Sequence, residues 1–364
     1  MDSSKIVSGS WKIRSKWVWP MALVVSILLL KFFPAIIEQY YSTGIYVFIS
    51  RFERVITGWS PISLGDIFYA VVFIKLFIWL FSLIKTLVKK RATWKKFGSG
   101  CLDCLRMVLW IFIWFNLAWG LNYNREGIAY QLKLEPVKYS KEEVESIVCE
   151  LVDKVNSSRR AIGNDSLKEM PFKEIYLTAY NGYAQIAKEQ SYLSYKNVSI
   201  KKSLYSSISH YMGFSGYYNP FSGEAQLSDD MPNILVPYIA CHEMAHQLGY
   251  ASESEANFVG YLSCTAANDP YFTYSVYMDL YKYAAFELFL KDFKTTHGWE
   301  LDSTVRKDFR DIRKFFARKN NNVSPIMSSM YNQYLKANQQ NRGIESYNDV
   351  VGLLIAYRKK YGKI

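Results

Sequence analysis

The sequence predicts a mainly α-helical protein in two parts: a membrane anchor of three transmembrane helices over residues 1–121, and a mostly helical domain over 122–364 with a small β element ahead of its central helix. Three observations lead there. Half of the residues are apolar, but they gather in long runs in the first third, while the rest alternates as soluble domains do. Much of the basic surplus behind the formal net charge of +12 sits in clusters beside those runs. The helix predicted over 232–248 carries His242 and His246, two of only four histidines, one turn apart.

The first segment holds Lys5, Lys12, Arg14 and Lys16, then an apolar run from Trp17 to about Ile37, with Pro20, Lys31 and Pro34 inside or at its edge. A cleaved signal peptide is the rival reading, but no small-x-small site follows Leu30, so an uncleaved span over 17–37 is expected, with Lys31 reaching to the interface. Over 44–59, Ile45, Phe48, Ile49, Phe52, Val55, Ile56 and Trp59 recur at helical spacing opposite Arg51, Glu53 and Arg54. That pattern predicts an amphipathic helix lying in the interface. A second span is expected over 67–88, with Lys75 near its middle read equally as a functional charge or as one that snorkels. Lys85, Lys89, Lys90, Arg91, Lys95 and Lys96 then form a basic loop before a third span over 105–121, in which Asn116 is expected to bond between helices. Both basic segments should be cytoplasmic, so three crossings place everything after Leu121 in the periplasm or outside the cell.

Beyond the anchor, Ser140 and Glu143 form a capping box opening a helix to about Arg160, and a second helix is expected over 171–190. Residues 191–232 are rich in Ser, Tyr, Gly and Asn, with β-like pieces at 194–200 and 225–227. Gly216 to Leu227 reads either as an edge strand able to pair with a peptide or as a surface loop. Further helices are expected over 253–267 and 274–293, and two or more toward the C-terminus around the turn Asn341-Arg342-Gly343. Of five cysteines, Cys101 and Cys104 form a pair without the second pair that a four-thiolate site needs, and a Cys241–Cys264 bridge is geometrically open. No nucleic-acid-binding signature accompanies the positive charge, and none is expected to be functional.

Chemistry concentrates at His242-Glu243-Met244-Ala245-His246. Histidines four apart share a helix face, so their imidazoles can grip one Zn²⁺, with Glu243 beside the open coordination position as general base. The bland alternative, two hydrogen-bonded core histidines, leaves Glu243 unexplained among apolar neighbours. A catalytic zinc needs a third protein ligand; Ser252 stands where a third histidine would fall, so a carboxylate must serve. Glu253 and Glu255 point to nearly opposite faces of the next helix, so only one can reach the metal; Glu253 is preferred, with Glu255 and a more distant acid left open. Asn257 is expected to bond the ring of His242, and Ala256 and Gly260 to let this helix pack closely on the histidine helix. For the donor that stabilises an oxyanion, chain proximity offers His210, Tyr211, Tyr217 and Tyr218.

The pattern His242-Glu243-x-x-His246 followed by Glu253-x-x-Ala256-Asn257 resembles the gluzincins, zinc peptidases with a glutamate ligand, with Asn257 standing where their second motif has aspartate. More broadly, the chain resembles a bacterial membrane-protein family known only as a domain of unknown function. The resemblance is carried by Trp119-Gly120-Leu121-Asn122-Tyr123, by Gly216 to Ala225, by the two zinc motifs and by Gly343-Ile344-Glu345-Ser346-Tyr347. It implies a zincin-like α+β metallopeptidase domain behind three N-terminal spans. The expected activity is hydrolysis of an exported or envelope protein or peptide. A zinc hydrolase acting on another amide or ester, and a catalytically silent membrane sensor or scaffold, are the alternatives.

Overall fold

The computed structural model describes residues 3–88, 94–135, 138–163, 170–212, 214–292, 300–319 and 324–364. Side chains are described from residue 16 onward, apart from those of 87–97 and 210–212. The basic residues Lys89, Lys90 and Arg91 lie outside the described residues.

The chain begins with helix α1 (Ser3–Leu30) and turns through 102° into a second helical arm, α2 (Pro34–Gly58). This corrects the expected span over 17–37. Pro34 has no N–H to continue a helix and instead opens one from its first turn, so residues 34–37 belong to the arm. Within α2, Ile37–Ile45 is wound as a π-helix. Two further helices follow, α3 (Leu64–Val88) and α4 (Trp94–Ala118). Stretches Leu64–Thr86 and Gly98–Ala118 are long and apolar enough to cross a membrane, and α1 with α2 makes a third candidate if the bent pair is one span. Lys75 is exposed on α3. The Asn116 side chain does not bond between helices: its Nδ2 donates to Phe112 O at 2.9 Å, one turn back in its own helix, while its main-chain carbonyl accepts from the Tyr41 hydroxyl of α2 at 3.3 Å.

The arm α2 carries its polar residues inward. Tyr46, Ser50, Arg54 and Thr57 are buried, while Phe48, Phe52, Val55 and Trp59 are exposed. Arg54 therefore does not face solvent, as its place opposite the apolar stripe predicts; it faces the rest of the protein.

The remaining helices wrap one core. The capping box forms, with Glu143 Oε2 accepting from Ser140 N at 2.8 Å, and opens α5 (Lys141–Ile162). Its Val144, Ile147, Val148, Leu151 and Val155 recur at helical spacing and are fully buried. Helix α6 (Phe172–Ile186) follows, then a three-stranded sheet: β1 (Ile200–Lys202), β2 (Gly216–Asn219) and β3 (Glu224–Leu227), with the short α7 (Ser206–Met212) between β1 and β2. The order is β1-β3-β2, parallel between β1 and β3 and antiparallel between β2 and β3. The segment Gly216 to Leu227 is thus a hairpin whose first strand is an edge. Then come α8 (Val236–Gln247), α9 (Glu253–Ala266), α10 (Pro270–Lys291), α11 (Ser303–Lys319), α12 (Ser324–Ala337) and α13 (Val350–Tyr361). Cys241 and Cys264 are both buried and free, so the bridge does not form.

Candidate metal centre

Helix α8 is short and buried almost along its whole length, which suits a helix that must hold polar groups away from water. Its partner α9 lies close enough that a Cβ on Gly260 would fall 3.2 Å from His242 N, so the missing side chain sets the approach. That approach brings Glu253, in the first turn of α9, onto the two histidines. Its Oε2 lies 3.2 Å from His242 Nε2 and 3.6 Å from His246 Nε2. One donor atom from each of the three falls within 4.8 Å of the others, and all three residues are buried.

The far side of each imidazole is occupied. His242 Nδ1 lies 2.8 Å from Asn257 Oδ1, and His246 Nδ1 lies 2.7 Å from Tyr250 O. Asn257 is held with its oxygen toward the ring because its Nδ2 donates to Tyr347 O at 3.3 Å. Both partners only accept, so each Nδ1 carries a proton, and each Nε2 turns a lone pair into the cluster once its imidazole is neutral. Glu253 Oε1 accepts from the Tyr331 hydroxyl at 2.7 Å, while Oε2 has no hydrogen-bond donor. Two lone-pair nitrogens and one unpartnered carboxylate oxygen, all buried, make a donor set that fits a cation such as Zn²⁺.

The charges fit as well. Burial would raise the Glu253 carboxyl, but the two imidazoles hold it well below the usual carboxylate range. Burial opposes charge on His246, yet the Glu253 carboxylate lifts its pKa to about 9. Glu243 lies beside the cluster with Oε2 unpartnered, and burial pushes it up to about 7 against the pull of the histidines.

Glu255 lies outside the cluster. Its Oε1 accepts from Ile128 N at 2.7 Å, and burial raises its pKa to about 7 against the opposing pull of Arg125. Tyr217 gives its hydroxyl to Asp66 and lies 3.1 Å from Ser203 Oγ, which corrects its expected role as the oxyanion donor. Tyr218 pairs with the Tyr46 hydroxyl at 3.4 Å. The side chains of His210 and Tyr211 lie outside the described residues.

Two tyrosines that sequence reasoning missed stand over the cluster. The Tyr347 ring stacks on the His242 ring, with centroids 6.3 Å apart and planes at 10°, and its hydroxyl lies 3.1 Å from that of Tyr331. The single Tyr331 proton goes to Glu253, so Tyr347 donates to Tyr331. Burial raises both phenols well above the ordinary tyrosine value, which keeps them protonated. Tyr347 ends the segment Gly343 to Tyr347 that carries the family resemblance; Tyr331 has no local signal among 29 tyrosines.

Residues before 126 build this site too. The C-terminal carbonyls of α8 and the turn after it accept from them: His246 O from Trp119 Nε1 at 3.2 Å, Gln247 O from Arg54 Nη1 at 2.9 Å and Gly249 O from Arg125 Nη1 at 3.1 Å. Tyr46 reaches the same carbonyls, at 3.2 Å to Gln247 O. Glu224 of β3 in turn accepts from Leu64 N at 3.1 Å and from Gly65 N, capping α3. On either side of the cluster lies a cavity, one of about 310 Å³ toward the spans and one of about 710 Å³ away from them. Gly216, His242, Glu243, Tyr331 and Tyr347 line both.

These features define a mainly helical protein with apolar helices suited to a membrane and a buried His-Glu-x-x-His helix completed by a carboxylate from the next helix. The chain belongs to the DUF3810 family, described as a protein of unknown function, whose profile matches residues 41–355. The match begins inside α2 and so includes α3 and α4. No curated protein and no solved structure matches the chain.

Proposed function

We propose that the protein is a membrane-anchored, zinc-dependent metallopeptidase of zincin-like fold, with its site on the extracytoplasmic side. The observation that carries the reading is the convergence of two imidazole nitrogens and an unpartnered Glu253 oxygen, beside a second buried carboxylate, Glu243, whose Oε2 is also unpartnered. His242, His246 and Glu253 would hold the ion, and zinc bound there supplies Lewis acidity toward water and the scissile carbonyl. Glu243 takes the proton from the attacking water as its oxygen bonds to the scissile carbon, and the same carboxyl then delivers that proton to the amine as the C–N bond breaks. Asn257 and Tyr250 hold the rings in the tautomer that leaves Nε2 free. Tyr347, a neutral phenol beside the cluster, takes the oxyanion role by turning its one O–H from Tyr331 to the developing charge. The free edge of β2 begins beside Glu243: a Cβ on Gly216 would fall 2.8 Å from Glu243 Oε1, so the bare backbone there leaves room for a chain to be cleaved.

Three spans with both basic segments on the cytoplasmic face put the site outside, as the positive-inside rule requires. The test is one variant compared with the wild type, both as purified full-length protein. Glu243→Gln should keep zinc and lose about 10²–10⁴-fold in peptide hydrolysis. A Glu243→Gln protein of unchanged activity would overturn the reading.

A further inference from the structure

The cavity on the span side of the cluster is walled partly by the spans. Tyr69 of α3 and Phe115 of α4 line it together with Trp119, Pro220 and Phe221. Trp119 directly follows the apolar stretch Gly98–Ala118, and its ring meets the His246 ring edge-on with centroids 6.1 Å apart. The candidate metal centre is therefore one side chain away from the end of a candidate span. Below the cavity, α3 stands apart: none of its apolar window is buried within the protein, and Phe73, Phe77 and Phe81, one turn apart, are all exposed. Tyr69, which lines the cavity, precedes Phe73 by one turn on the same face, so the exposed stripe of α3 runs up to the cavity wall.

We propose that this face of α3 receives the transmembrane helix of a substrate, and that the cavity takes the extended segment emerging from that helix. This rests on the peptidase reading and names its substrate class: a membrane-spanning polypeptide cut within a few residues of its span. A volume of about 310 Å³ admits extended residues but no helix, so the segment must unwind as it leaves the bilayer. A lipid with its tails along that face is the competing occupant. The cleft favours a polypeptide, because it continues past the cluster into the larger cavity along Ser215 and Gly216, where a chain extends and a headgroup ends. A soluble protein gains nothing from a site at this level, whereas a substrate confined to the same bilayer arrives in the right layer.

The experiment uses the full-length, zinc-loaded protein in phosphatidylethanolamine–phosphatidylglycerol liposomes. The probe is a mixed-sequence quenched-fluorescent peptide joined, in either polarity, to a Leu/Ala transmembrane helix through a spacer of about 3 or about 25 residues, or left unattached. The short-spacer probe in one polarity should be cut at least about tenfold faster than the long-spacer probe, although both share the same surface concentration. In the Glu243→Gln background, a photoreactive phenylalanine analogue at Phe115, or separately at Tyr69, should cross-link to the helix of the short-spacer probe without turnover. Equal cleavage of both spacers and of the free peptide, with no cross-link at either position, overturns this inference and leaves the peptidase reading standing. Cleavage of none of the peptides by protein carrying zinc, or release of lipid fragments alone, overturns the peptidase reading and this inference with it.

Discussion

Glu253 divides its carboxylate between two neighbours: one oxygen is fixed by the Tyr331 hydroxyl, and the other is turned on two imidazoles with no donor of its own. Three consequences follow at the scale of single side chains. Removing the Asn257 carbonyl frees the His242 ring to turn, so Asn257→Ala should weaken zinc affinity about 10- to 100-fold, measured by competition with a chelator. In the metal-free protein His246 holds its proton up to about pH 9, because ionised Glu253 stabilises the imidazolium. Zinc must displace that proton, so its apparent affinity should rise with pH up to about 9 and then level, with proton release visible by calorimetry in buffers of different ionisation heat. The proposed hydrolysis needs Glu243 as the carboxylate, and burial sets that group at about 7 before a cation is bound. A cation lowers it further, so kcat/KM should climb with pH through an acidic limb centred below that value. The histidines and Glu243 were legible because one helix turn fixes their geometry. The choice between Glu253 and Glu255 was legible only as a choice of faces; contact with Ile128 N, far away in the chain, decides where Glu255 lies. Tyr331 and Tyr347 were hidden because long-range packing selects them from 29 tyrosines.

At the scale of elements, the C-terminus of α8 is the point on which the N-terminal helices converge. The last carbonyls of a helix have no partners within it, and here Tyr46, Arg54, Trp119 and Arg125 supply them. A guanidinium removed from this buried position leaves Gln247 O without its charged donor, so Arg54→Met should cost about 1.5–3 kcal/mol of stability, read from denaturant unfolding in detergent. Gly260→Leu should push α9 off α8, and zinc should be lost from a protein that still shows helical circular dichroism. Periodicity made the arm α2 legible as amphipathic, but not which face meets protein. The residues opposite the apolar stripe include Arg54, which is buried against Gln247 O and Lys196 O, while the stripe itself stays exposed. The β element was legible as Gly- and Ser-rich chain with short apolar pieces. Its order β1-β3-β2 was not, because pairing between β1 and β3 is set by contacts between distant segments.

For the whole molecule, the expected boundary near residue 121 separates spans from domain in composition but not in contacts. Glu224 caps α3, Asp66 of α3 accepts from Leu204 N at 2.7 Å, and the α8 carbonyls accept from Tyr46, Arg54 and Trp119. A fragment covering 122–364 should therefore aggregate or bind zinc poorly, while the full chain in detergent binds it. Sedimentation and metal content of the two together check this. The central claim is tested most directly by the metal content of the purified full-length protein. The account predicts one zinc per chain in the wild type and in Glu243→Gln, and loss of most of it in His246→Ala and in Glu253→Gln. A folded wild-type protein that takes up no zinc, or zinc undiminished in His246→Ala and Glu253→Gln, would contradict it.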